Sequence, residues 1–516
     1  MRRACFVLVS ARMRYLAWPV LVMFARSAFA QVPEDNPPDD PPPSDPVPPA
    51  PEPAPVTPAP TPPVTNTTTI TKPDPVAAPI ATPDPRTGFR FGSYGRVLAG
   101  TDLRGGKPEP ATIVAHGPRI VEDSYLELDL SYGFVTPRGR FLRPVITLAF
   151  DGTLFHDTGD FDAQPAIRNM FLEAEVSRRV TAWVGSRMYR GDDIYLFDYW
   201  PLDDLNTVGG GVQYRDKSLE LAAHAGVNRL LNDFQFQQID VANPEQGSIT
   251  VVQLNRQRLV ASGNATYLIL RDPELPSFKL KVHGELHALP SGTRKEIDGT
   301  LTDLPSDTGY LVGAEAGTFG MSADRRFRRH ANVFVRYARG LSAFDELAPP
   351  TSFGTDRKTK RANELTFGAS ANWDHALGNV MFGALSRRFV DADGNTTDFD
   401  DGWEYAIDVR PLASLGGEFF AGADLSYQAR FPRGLNAITQ RAEDPAIFQI
   451  APMLVYSPMG PSAYDRPQIR VVYRAARFND AARDLFVPDD PRAAHTWTHF
   501  LGFQAEWWFN SSTYNR

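Results

Sequence analysis

Three aromatic residues stand two places from a charged one, so on a strand each pair shares a face: Tyr94 with Arg96, Tyr125 with Glu127, and Trp508 with Glu506. Such pairs have a definite chemistry. A pyranose offers an apolar ring face edged by hydroxyls, so an aromatic ring stacks on the face while carboxylates and guanidinia hydrogen-bond the edge. The same spacing fits interface aromatics beside ordinary pore charges, and spacing alone leaves both open. Other chemistries are weaker. No Ser–His–acid arrangement stands out among the nine histidines. His283 and His287 bracket Glu285, but on a strand they lie about 13 Å apart, too far to share a metal. The stretch from Asp391 to Asp401 begins like a calcium loop, yet it lacks flanking helices and carries Gly402 at the twelfth place, so a polar surface loop is expected. Gly209, Gly210 and Gly211 are expected to ease a strand past a neighbour rather than to bind phosphate. No metal or cofactor is expected.

The element that must position these residues is clearest at the end of the chain. From Trp497 to Phe509, odd positions carry Trp497, His499, Leu501, Phe503, Ala505, Trp507 and Phe509, while even positions carry Thr498, Phe500, Gly502, Gln504, Glu506 and Trp508. One face is apolar with aromatics at both ends, and the other is small or polar. That suits a strand with lipid outside and water inside, closing a barrel against its first strand so that no edge remains. Leu126, Leu128, Leu130 and Tyr132 oppose Tyr125, Glu127, Asp129 and Ser131 in the same way, and Phe419 to Gln428 repeats it. A soluble core would not accept the polar faces, whereas a wide, wet lumen would.

Eighteen such candidates begin near Phe89, Arg119, Leu142, Ala166, Val180, Thr207, Ser218, Leu254, Ser277, Gly309, Ala331, Ala362, Ala376, Trp403, Glu418, Asp444, Pro467 and Trp497. Short connections such as 177–179, 215–217 and 374–375 alternate with long polar ones such as 102–118, 189–206 and 341–361. Short turns on one rim and long loops on the other are the habit of outer-membrane barrels, and an even strand number returns both termini to the periplasmic side. The fold class is therefore all-β: a transmembrane antiparallel β-barrel of about 18 strands, spanning residues 88–516.

Ahead of it, Arg2, Arg3, Arg12 and Arg14 precede a short apolar core at 15–24 and a small-x-small site at Ala28-Phe29-Ala30, the pattern of a signal peptide over residues 1–30. A linker follows over 31–87. Its 21 prolines between Val32 and Pro85 favour extended polyproline II, with a reach on the order of 150 Å if fully stiff. It is expected to be a solvated periplasmic spacer, with peptidoglycan or a periplasmic partner protein as the sharper alternative. The net charge of −8 and the lack of a basic cluster give nucleic acid no support as a partner. No apolar run long enough for a membrane helix follows the N-terminus, and the one cysteine, Cys5, lies ahead of the apolar core, so disulfides and thiolate metal sites are excluded from the mature chain.

Several blocks resemble the maltoporin family of trimeric, sugar-selective outer-membrane channels. They are Phe91-Gly-Ser-Tyr-Gly-Arg96, Tyr125-Leu-Glu-Leu128, Pro165-Ala-Ile-Arg168, Ala182-Trp-Val-Gly-Ser-Arg187, the run from Tyr189 to Trp200, Val409-Arg-Pro411, Asp465 to Val471, and Gly502-Phe-Gln-Ala-Glu-Trp-Trp508. They fall in family order along the whole barrel. The resemblance implies a homotrimer in outer-membrane lipid, and a row of aromatics for maltodextrins beside a polar track. By position, Tyr94, Tyr125 and Trp508 match the aromatic row, and Arg96, Arg119, Glu127, Arg168 and Asp198 match the track. Tyr199, with Trp200 as an alternative, matches the constriction-loop aromatic, and Arg190 stands in for an arginine expected near Gly191. Tyr405 falls at a row position, although alternation points it and Trp403 to lipid. The row's middle member falls at Val312, with Tyr310 two residues away on the same face. The loop tryptophan that a neighbouring subunit lends is missing, with Phe161 the nearest aromatic, and a seven-residue tail after Phe509 departs from the family's abrupt end.

The expectation is a porin passing oligosaccharides by partly selective passive diffusion, without catalysis. A general solute porin is the near alternative, and a barrel hydrolase or an adhesin the distant ones.

Overall fold

A computed structural model describes residues 86–510 apart from 153, 160–162, 270–276, 321–328 and 395–397. The expected signal peptide, most of the proline-rich linker, Phe161 and all but the first residue of the tail lie outside the described residues.

Eighteen antiparallel strands pair each with its neighbour in the chain, and the first, Gly88–Thr101, pairs with the last, Trp497–Phe509. The barrel is closed and has no edge. Strand faces follow the alternation. Along the last strand Leu501, Phe503 and Phe509 are exposed on the outside, while Phe500 and Glu506 are buried within. Trp507 lies on the outer face across Gly95, where any Cβ would overlap its ring, and its indole N–H donates to Ser93 Oγ at 3.1 Å. The glycine triplet works similarly. A Cβ at Gly209 would strike the backbone of Ala225 and Gly226, and one at Gly211 would strike the Trp183 ring, so close strand approach is its role here.

Most strand starts agree with the period-two reading to within two residues; the one expected near Thr207 begins three earlier, at Asp204, and two others differ for physical reasons. The strand expected near Arg119 begins at Tyr125, because Arg119 belongs to a long loop folded into the barrel. The one expected near Leu254 begins at Arg258; the alternating run before it forms a hairpin in the loop, with Gly247–Asn255 paired to Phe236–Asn243.

The lumen is not uniformly wide and wet, as the polar faces alone suggested. Loop residues Ile113, Val114 and Ile120, with Ile194, Leu196 and Phe197 of the loop 191–203, pack inside the barrel against Phe334, Leu385, Phe420, Ile447 and Met453. Some polar groups of the strand faces are met by the loops themselves. Gln428 donates to Ala111 O at 2.8 Å and accepts from Ile113 N at 3.1 Å, and Glu404 accepts from Ala115 N at 3.1 Å. The lumen is thereby partly filled, and the packed cluster reaches the seam of the first and last strands through Phe500, Leu98 and Trp508, where the candidate site lies.

Candidate functional site

Closure of the barrel sets Trp508 opposite Tyr94 and Glu506 opposite Arg96, while the second strand sets Glu127 opposite Tyr94 and Tyr125 opposite Arg96. Three aromatics from three distant parts of the chain therefore meet. The Tyr125 and Tyr94 rings are 5.9 Å apart, and Tyr94 and Trp508 are 6.4 Å apart.

Charges flank this row. Arg96 stands 5.4 Å over the Tyr125 ring and bonds Glu122 at 3.1 Å, with Asp198 3.7 Å away. Arg119 bonds Glu122 at 2.8 Å and Glu506 at 3.3 Å, and donates to Tyr94 Oη at 3.4 Å. Burial opposes the charge on Asp198, but Arg119 and Arg96 outweigh it and hold its carboxyl below the usual range. Asp198 takes a left-handed backbone, φ 50°, at the end of the short helical turn Tyr195–Phe197, which aims it at both guanidinia. Tyr125 donates to Glu127 at 2.7 Å, and Arg168 bonds both. Arg168 enters the lumen through a β-bulge. Thr147 pairs with Asn169 and Leu148 with Ile167, which leaves Arg168 as the extra residue, turned inward beside Asn169.

Further round the constriction, Arg190 lies 3.7 Å over the Trp200 ring, and Tyr199 stacks on His116 at 3.7 Å while accepting from Arg336 at 3.2 Å. Both loop aromatics are buried, serving as packing within the constriction loop. The loop is tied down on its other flank by Asp192 to Lys279 at 2.7 Å and by Asp203 to Lys281 and His283. His283 and His287 each bond one oxygen of Glu285, at 2.8 and 2.9 Å, so the pair flanks a carboxylate and shares no ligand position.

Two expected site residues do not join. Tyr310 and Tyr405 point outward and are exposed, Tyr310 paired with Tyr337 and Tyr405 stacked 6.0 Å from Trp403. Their strands place Leu311 and Glu404 inside, so neighbours one residue away must face lipid. Val312 is likewise exposed on the outer face. The sequence reading missed several lumen residues. Glu122, Tyr195, Tyr464 and Arg466 come from loops and turns, where alternation gives no direction. Glu506, buried among Arg119, Arg466 and Arg470, was legible as a lumen residue but not as the centre of an arginine cluster.

Asp193 supplies a pH-dependent charge. Burial raises its carboxyl to about 6, against the lowering effect of a hydrogen bond from Tyr464. A raised acid binds its proton more tightly in the folded protein, so folding stability falls as pH rises from the ordinary carboxylate value through about 6. Above that pH the constriction carries an extra negative charge. Reversal potentials in a KCl gradient should shift toward weaker cation preference between pH 7 and pH 5, and Asp193→Asn should remove the step.

Residues 89–509 match the family described as LamB porin. No curated protein matches the sequence. Among solved structures, the chain is similar to OpdK of Pseudomonas aeruginosa with vanillate, at 13% identity over 82% of this chain and 98% of that one, with a TM-score of 0.40. OccK2 (OpdF) of Pseudomonas aeruginosa in complex with glucuronate gives 13%, 82%, 98% and 0.40. The trimer form of OmpT, an outer membrane protein of Vibrio cholerae, gives 12%, 82%, 100% and 0.33. With the family matched over most of its length, the chain belongs to the LamB porins: it is an outer-membrane channel for passive diffusion, not an enzyme.

Proposed function

We propose that this porin is selective for oligosaccharides, which slide along Tyr125, Tyr94 and Trp508 while their hydroxyls exchange partners among Arg96, Arg119, Glu122, Glu127, Arg168 and Asp198. The observation that carries the reading is the aromatic row itself, with ring spacings of 5.9 and 6.4 Å and charged groups along its flank. Stacking is tolerant of sliding because each ring face is apolar, and the flanking charges replace water at the hydroxyls. Arg190, Tyr199 and Trp200 shape the constriction in this reading, and Tyr310 and Tyr405 have no part in the path. Family membership supports assembly as a homotrimer. The scheme of a signal peptide over 1–30, a periplasmic linker over 31–87 with peptidoglycan or a partner protein at hand, and a barrel from 88 belongs to the same proposal.

The test is ion conductance through the purified protein in a planar bilayer, titrated with maltodextrins and then with sucrose. Saturable block supports selectivity and ranks the two ligands. Steady current at every sugar concentration leaves a general solute porin.

A further inference from the structure

The connection 457–467 joins Ala446–Tyr456 to Gln468–Phe478 on the rim of the short turns, yet it is longer than its described neighbours and folds into the lumen. Ser462 and Ala463 are buried, and the Ala463 N–H donates to Asn372 on the strand Asn363–His375 at 3.1 Å. Tyr464 comes next. Its hydroxyl donates to Asp193 of the constriction loop at 2.8 Å, while its side chain remains 39% exposed between buried neighbours. The ring lies 6.3 Å from Trp508 and 6.4 Å from Tyr195. Arg466 stands 4.6 Å over Trp508 and bonds Glu506 at 2.9 Å, which fixes the end of the turn against the last strand.

The geometry points to Tyr464 as a further sugar-stacking subsite, a fourth ring that carries the path past Trp508 toward the short-turn rim. Spacings of 5.9, 6.4 and 6.3 Å from Tyr125 through Tyr94 and Trp508 to Tyr464 form one continuous row, with no break where the strand-borne aromatics end. A pyranose leaving Trp508 meets Tyr464 next, while Arg466, buried and bonded to Glu506, holds the turn in place. The inference rests on the sugar-channel reading above.

The test is single-channel block by maltohexaose added from either side of the bilayer, in the full-length protein. Tyr464→Ala is expected to weaken block about tenfold, with the larger fall in association rate for sugar added on the short-turn side. Tyr464→Phe keeps the ring, loses the bond to Asp193 and is expected to stay within about twofold of the unaltered channel. If Tyr464→Ala yields no channels, Tyr464→Leu fills the volume without an aromatic face and carries the same expectation. Block unchanged in the ringless variants while Trp508→Ala loses it would overturn the Tyr464 subsite alone. Loss in Tyr464→Phe equal to that in Tyr464→Ala would also overturn it, because the residue would then act by latching the constriction loop. Absence of block in the unaltered protein would overturn the sugar reading itself.

Discussion

Trp508→Ala should weaken maltodextrin block about tenfold, and Trp508→Ala combined with Tyr125→Ala about a hundredfold, while the open channel conducts ions at least as well. The reasoning is one of stacked area. Trp508 and Tyr125 are half-buried and can each offer an apolar face to a pyranose, whereas Tyr94 is buried between them, and an aromatic contact of this kind is worth about 0.5–1.5 kcal/mol beyond the area it buries. Trp508 sits mid-row, between Tyr94 at 6.4 Å and Tyr464 at 6.3 Å, so its loss also breaks continuity. Titration of single-channel current measures it directly. Equal sugar affinity in all three proteins would leave the rings as ordinary lumen lining.

Glu506→Gln should bring the largest loss of stability. Glu506 is buried, and its carboxylate faces Arg119 at 3.3 Å, Arg466 at 2.8 Å and Arg470 at 2.7 Å. Removing one partner from a buried ionic cluster leaves the others uncompensated, which costs about 3–5 kcal/mol. The same change removes a negative charge from the constriction, so the channel should turn toward anions. Thermal unfolding in detergent reads the first effect and the reversal potential in a KCl gradient the second. Glu506→Asp, which keeps the charge, should lose part of the stability and none of the ion preference. A melting temperature unchanged in Glu506→Gln would mean that the three arginines are satisfied elsewhere.

The barrel was legible because lipid and water impose period two on every strand, and the direction of nearly every strand residue follows from it. Tyr405 illustrates the strength of that rule. Its position in the resemblance argued for the lumen and its alternation for lipid, and alternation prevailed. Arg168 marks where the rule breaks, since a bulge turns two successive residues inward and leaves no trace in the pattern. The loops were illegible for a deeper reason. Ile113, Ile194 and Leu196 are apolar residues in polar connections, and their role depends on which loop folds inward, which no local periodicity encodes. Tyr464 is hidden likewise in a turn. The candidate row was thus readable where strands carry it and unreadable where turns do.

Tyr94 and Arg96 come from the first strand of the barrel, and Trp508 and Glu506 from the last, facing one another across the seam. The proposed path is therefore also a checkpoint of assembly. Before the ends of the sheet join, the row is missing Trp508, and Arg119 lacks Glu506, whereas Arg466 and Arg470 meet Glu506 already across the neighbouring strand pair. An unfinished barrel can be a hole, but it cannot be this channel. Cutting the chain at a distant turn and linking the present ends would preserve the path, whereas any slip in the register of closure would erase it.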